Sequence, residues 1–148
     1  MRQVCHTLTV TTRRGLTEIT EAVREQVGKA RVRDGLCTVF IRHTSASLVI
    51  QENADSDVQR DLMQRLNVLA PEDADYWHKS EGPDDMPAHI KTMLTETSLS
   101  IPVQRDRMVL GTWQGLYIVE HRARPHRREL VLHFNGKVRS DERTTNEA

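Results

Sequence analysis

Alternation with a period of two constrains this chain more than any other feature. From Val4 to Thr12, Val4, His6, Leu8 and Val10 fall on one face and Cys5, Thr7, Thr9 and Thr11 on the other, the pattern of a half-buried strand. Residues 36–43 repeat it, with Cys37, Val39, Ile41 and His43 sharing a face. In 113–121, Gln114, Leu116, Ile118 and Glu120 point one way and Trp113, Gly115, Tyr117, Val119 and His121 the other. Further strands are expected at 47–51, 98–103 (Pro102 suggesting an edge) and 128–135.

Helical spacing appears in three places. Thr17 is placed to cap a helix over 18–28 carrying Ile19, Val23 and Val27, with Gly28 as its stop. Residues 52–57 end a strand and cap a helix with a Val58, Leu62, Leu66 stripe and Met63 beside it. After a loop from about 67 to 83, Asp84, Asp85 and Pro87 start a third helix, expected to bury Met86, Ile90, Met93 and Leu94. The predicted order is β-α-β-β-α-α-β-β-β. Hairpin-length links between strands favour an antiparallel sheet, so the expected fold is α+β, a single domain of mainly antiparallel sheet with about three helices on one face. The domain is expected over 1–136, with a polar tail over 137–148.

Composition narrows the function classes. Lys plus Arg and Asp plus Glu are equal at 21 each, which argues against duplex DNA or a membrane surface as partner. Aromatics are 4% of residues, too few for a base-stacking platform. No apolar run approaches the ~20 residues of a membrane span. The N-terminus lacks the apolar core of a signal peptide, so a cytoplasmic location is expected, with Cys5 and Cys37 reduced and half-buried in strands.

Several residues are candidates for chemistry. His43 ends a strand before Thr44 and Ser45, and reads either as a backbone-bonded histidine or as an imidazole beside phosphate donors. His78 and His89 flank Asp84 and Asp85; their spacing is no diagnostic zinc signature. Glu120, a carboxylate on an apolar face, needs a partner. Arg42 is one candidate, and a pocket-lining role as base or ligand is the alternative. Among Arg122, Arg124, Arg127 and Arg128, clustered around Pro125, Arg127 or Arg128 is expected to point into a site.

Taken in order, His43-Thr44-Ser45-Ala46-Ser47-Leu48, Glu52-Asn53-Ala54-Asp55, Gly82 through Lys91, Ser98-Leu99, Gly111-Thr112-Trp113-Gln114-Gly115 and Glu120-His121-Arg122 resemble the YjbQ-like family, described as secondary thiamine-phosphate synthase. The resemblance implies a YjbQ-like fold, a homotrimer and a weak transferase activity. That activity joins a hydroxymethylpyrimidine diphosphate to a thiazole phosphate and releases diphosphate. A chain of 148 residues cannot build the (β/α)₈ barrel of a classical synthase, which typically needs ~250. On this reading His43, His89 and Glu120 are catalytic, and Ser45, Trp113, Gln114, Arg127 and Arg128 bind substrate. His78, His89 and Asp85 are the metal set, with Asp84 and Asp55 further candidates for Mg²⁺. The ion would be Mg²⁺ or a transition metal such as Zn²⁺, with no organic cofactor evident. The partners expected are small phosphorylated substrates. The competing readings are a metal-dependent hydrolase and a non-catalytic phosphometabolite-binding protein using the same pocket.

Overall fold

The structure, a computed structural model, describes residues 1–138. In chain order the elements are β1 (Arg2–Thr12), β2 (Gly15–Glu18), α1 (Thr20–Ala30), β3 (Val32–Ile41), β4 (Ala46–Glu52), α2 (Ser56–Leu69), α3 (Asp85–Leu94), β5 (Ser98–Gln104), β6 (Arg107–Met108), β7 (Gln114–Glu120) and β8 (His126–Val138). All strand pairs are antiparallel. They form one sheet ordered β1-β8-β3-β5-β6 and a second ordered β2-β7-β4. The fold is the single-domain α+β architecture that the alternation predicts.

Each alternating stretch is a strand because its apolar set has a face to bury. Val39, Ile41, Leu130, Leu132 and Phe134 from the first sheet meet Leu48, Leu116 and Ile118 from the second, with Val23 and Val27 of α1 in the same core. β7 is central in its sheet and buried along Gly115–Glu120 on both faces.

Five expectations need correction. Thr17 caps nothing, because Gly15–Glu18 pairs with β7. α1 begins two residues later, and Thr20 Oγ1 accepts the Leu116 N–H at 2.9 Å, stapling the helix start to that strand. The helices do not cover one face: α1 packs in the core, while the α2 stripe of Leu62, Met63 and Leu66 lines a groove with Leu16, Val49 and Val119 of the smaller sheet. Met93 and Leu94 of α3 are exposed at 87% and 55%, and the helix buries Asp85, Ala88 and Lys91 instead. A polar face therefore turns inward. Finally, β8 carries Lys137 and Val138 into register with β3, and the rest of the expected tail lies outside the described residues.

Neither cysteine is half-buried. Cys5 is exposed, and Cys37 is buried with its thiol pushed up to about 12 by desolvation. A thiol-directed alkylating reagent at pH 8 should therefore modify Cys5 alone in the folded protein, and both residues in urea. Mass spectrometry showing rapid native labelling of Cys37 would contradict this packing. No described helix is long and apolar enough to cross a membrane.

Candidate functional site: two polar clusters bridged by Arg122

The turn into α3 builds the first cluster. Gly82 takes φ of +102°, a conformation that costs glycine little. Asp84 stands at the N-cap but does not cap with its side chain. Its Oδ2 accepts from Arg122 Nε at 2.8 Å and from the Ala123 N–H at 2.9 Å. Burial opposes its ionisation, yet these donors outweigh burial and hold the carboxyl at about 2.

Asp85 is 2% exposed. Arg122 Nη1 donates to its Oδ1 at 2.6 Å, while His78 Nε2 and His89 Nε2 lie 2.7 and 3.1 Å from its Oδ2. Burial again works against ionisation, and hydrogen bonds from His78 and Glu81 with the charges of Arg122 and His89 keep the carboxyl below its ordinary value. His89 follows Asp85 by one helical turn, so both share a face; His78 reaches them from the loop. The three candidate ligand atoms lie within 4.8 Å of one another.

This set fits a divalent ion. Ligands at ~2.0–2.2 Å from a tetrahedral metal stand roughly 3.4 Å apart; here each imidazole nitrogen lies 2.7 or 3.1 Å from the Asp85 oxygen, and the whole set falls within 4.8 Å. Arg122 occupies one Asp85 oxygen and leaves the other facing the imidazoles, the kind of outer contact that would orient the carboxylate toward an ion. Asp55 takes no part, since its Oδ1 accepts the Asp57 N–H and caps α2.

The second cluster surrounds Glu120, which is fully buried. Its Oε1 accepts from Thr12 Oγ1 at 2.6 Å and Arg128 Nε at 2.7 Å; its Oε2 accepts from Arg128 Nη2 at 2.6 Å and the Arg122 N–H at 3.1 Å. Desolvation would raise its pKa, but the hydrogen bonds from Arg128 and Thr12 bring it below the ordinary value. Arg128 therefore holds the place proposed for Arg42, which instead pairs with Glu129 at 2.8 Å near the protein surface. Arg128 Nη2 also donates to Ser45 O at 3.3 Å, and its Nη1 faces His43 Nδ1 at 3.4 Å.

The structure thus joins His43 and Glu120 through Arg128, and joins His89 to His78 and Asp85. Arg122 bridges the two groups, with its N–H on Glu120 and its guanidinium on Asp84 and Asp85. Other predicted residues stand apart from both. Trp113 is 64% exposed, Gln114 Oε1 accepts the Gly111 N–H at 2.8 Å, and Arg127 is exposed on β8.

Sequence reasoning passed over Arg122 as a site residue, although its place directly after Glu120-His121 was a signal. It also missed a buried polar group behind α3. His121 Nε2 lies 2.9 Å from Ser47 Oγ, Thr95 Oγ1 lies 2.6 Å from the same hydroxyl, and Lys91 Nζ donates to Asn67 Oδ1 at 2.6 Å. His121 Nδ1 is buried without a hydrogen-bond partner.

Comparison with known proteins agrees on one family. The family described as UPF0047 protein YjbQ-like matches residues 6–137. UPF0047 protein sll1880 of Synechocystis is 52% identical over 126 residues, covering 84% of this chain and 86% of that protein. UPF0047 protein YjbQ of Escherichia coli O157:H7 is 38% identical over 133 residues, covering 88% and 96%. Among solved structures, a YjbQ/UPF0047 family protein from Clostridium acetobutylicum superposes with a TM-score of 0.79 at 35% identity, covering 89% of this chain and 99% of that one. Hypothetical protein APE1520 from Aeropyrum pernix superposes with a TM-score of 0.83 at 26% identity, covering 90% and 99%. With nearly its whole length matched in sequence and in fold, the chain belongs to the YjbQ-like UPF0047 family.

Proposed function

We propose that this protein is a metal-dependent enzyme acting on small phosphorylated molecules. Thiamine phosphate formation is the reaction of that class to test first. The observation that carries the reading is the convergence of His78, Asp85 and His89 within 4.8 Å. Two imidazole nitrogens and one carboxylate oxygen suit a transition ion such as Zn²⁺ better than Mg²⁺, which prefers oxygen ligands. When bound, the ion would neutralise charge on a phosphate or diphosphate, or lower the pKa of a bound water. Arg122 fixes Asp85 for this task, and Asp84 holds Arg122 in place. Exposed Trp77, Met93 and Leu94 give the expected homotrimer apolar surface to cover.

A hydrolase is the second reading. It is favoured by the openness of the set: the His78 and His89 side chains are 37% and 36% exposed, which leaves coordination positions for water. A pyrimidine cation would instead need a dry wall around it.

Metal titration by calorimetry on chelator-treated protein should find one Zn²⁺ per chain. His89→Ala and His78→Ala should each weaken it by at least about 100-fold, since even outer-shell changes cost 10–100-fold. Diphosphate release from the two thiamine precursors, and hydrolysis of a panel of phosphate esters, should both be assayed with and without the ion. Turnover of either kind that is lost with the metal and in His89→Ala supports the enzyme reading. Phosphorylated ligands held but never turned over would sink it in favour of a binding protein.

A further inference from the structure

The geometry points to a second, metal-independent subsite: His43 Nδ1 and Arg128 Nη1 form a pair of donors that takes one oxygen of a phosphoryl group. The starting observation is the backbone N–H of Glu129, which donates to His43 Nε2 at 2.8 Å. A backbone amide can only donate, so Nε2 carries no proton, and a neutral imidazole must then hold its proton on Nδ1. That Nδ1–H faces Arg128 Nη1 at 3.4 Å. A guanidinium nitrogen has no acceptor capacity. Two donors cannot bond to each other, so neither nitrogen finds its acceptor in the other. Desolvation, then the neighbouring Arg128 charge, lower the His43 pKa and keep the ring in this neutral form near pH 7.

The other Arg128 nitrogens are committed, Nε and Nη2 to Glu120 and Nη2 also to Ser45 O. Nη1 alone is left over, on a side chain 4% exposed, where donors without acceptors are costly. His43 links this buried donor to the surface, since its own side chain is only half-buried. His43 lines an open depression with Thr44, Thr97 and Ser98, whose hydroxyls suit a phosphate, and with Thr92, whose hydroxyl is already given to backbone carbonyls; Glu96, an exposed carboxylate, lines it too. α3 ties this depression to the metal candidates, because Thr92 Oγ1 lies 2.7 Å from His89 O and 3.1 Å from Thr44 O.

The inference rests on the reading above for the substrate being phosphorylated, but it needs neither metal nor turnover. The test therefore uses chelator-treated protein, inorganic phosphate and no catalysis. Long-range ¹H–¹⁵N spectra of ¹⁵N-histidine-labelled protein should show His43 protonated on Nδ1, with that nitrogen shifting saturably as phosphate is added at constant ionic strength. His43→Ala should weaken phosphate binding by about tenfold or more, the effect of losing one hydrogen bond to a charged group. His43→Gln should restore most of it, since its carbonyl can accept from Glu129 and its amide can donate to phosphate. Circular dichroism confirms that both variants fold. A proton on Nε2 would overturn the inference, as would an Nδ1 signal indifferent to phosphate or equal affinity in His43→Ala. Loss of metal binding in the earlier titration, with this shift intact, would overturn the metal reading alone.

Discussion

Replacing Arg128 with Met is expected to cost about 3–5 kcal/mol of folding stability, the usual penalty for stranding one member of a buried ion pair. Glu120 has no exposed surface, and Arg128 grips both of its oxygens, at 2.7 and 2.6 Å. Without the guanidinium, the carboxylate keeps only the Thr12 hydroxyl and the Arg122 N–H. It must then remain charged in the core or take up a proton, and both are costly at pH 7. Arg128→Met combined with Glu120→Gln should recover much of the loss, because the amide removes the stranded charge and still offers an acceptor. Urea unfolding of the parent, both single variants and the double variant closes this cycle. A single-variant cost under about 1 kcal/mol would mean that the pair behaves like a surface salt bridge. The burial described here would then be wrong.

The second large effect is an acid-labile window set by His121. Burial comes first among the causes that lower its pKa from 6.5 to about 4; the charges of Lys91, Arg128 and Arg14 act in the same direction, and Glu120 acts against them. In the folded protein the ring stays neutral between these values, while in the unfolded chain it binds a proton. Unfolding therefore takes up a proton across this range, and stability rises with pH there. The contribution is complete above about pH 6.5 and is lost as pH falls through the folded value near 4. It amounts to roughly 3 kcal/mol for this shift. His43, whose pKa is also lowered, adds in the same sense, so the comparison must be with His121→Gln. That variant keeps a polar group beside Ser47 and removes the titration. Its stability-against-pH curve should be flatter than the parent's between pH 6.5 and 4, and parallel curves would reject His121 as the source. Below pH 4 a different group takes over. Asp84, held at about 2, supports the fold above its unfolded value of 3.8 and loses that contribution as pH falls through about 2.

Spacing along the chain determined a good deal by itself. Period-two alternation located β1, β3 and β7, because in an extended chain successive side chains must face opposite ways. The four-residue step from Asp85 to His89 placed both on one face of α3, since a helix returns to the same side after one turn. The ordered motifs from His43 to Arg122 pointed to the family. What spacing leaves open is which faces meet. Glu120 needed a cation, but whether Arg42 or Arg128 supplied it depended on how two sheets stack, and no local pattern encodes that. β8 entering between β1 and β3 put Arg128 opposite Val10, beside the end of β7. The short β2 pairing overrode the capping preference of Thr17 because ladder bonds to β7 outweighed a single cap. α3 turned Asp85 and Lys91 inward and left Met93 outside, against its own apolar periodicity, because Arg122 and Asn67 were there to meet the polar groups. His78 was a loop histidine in sequence, and only the tertiary structure brought it to the oxygen that His89 already faced. Local periodicity is fixed by backbone geometry at each residue. The partners of buried charges are fixed by contacts distant in sequence, which form only when the whole core closes.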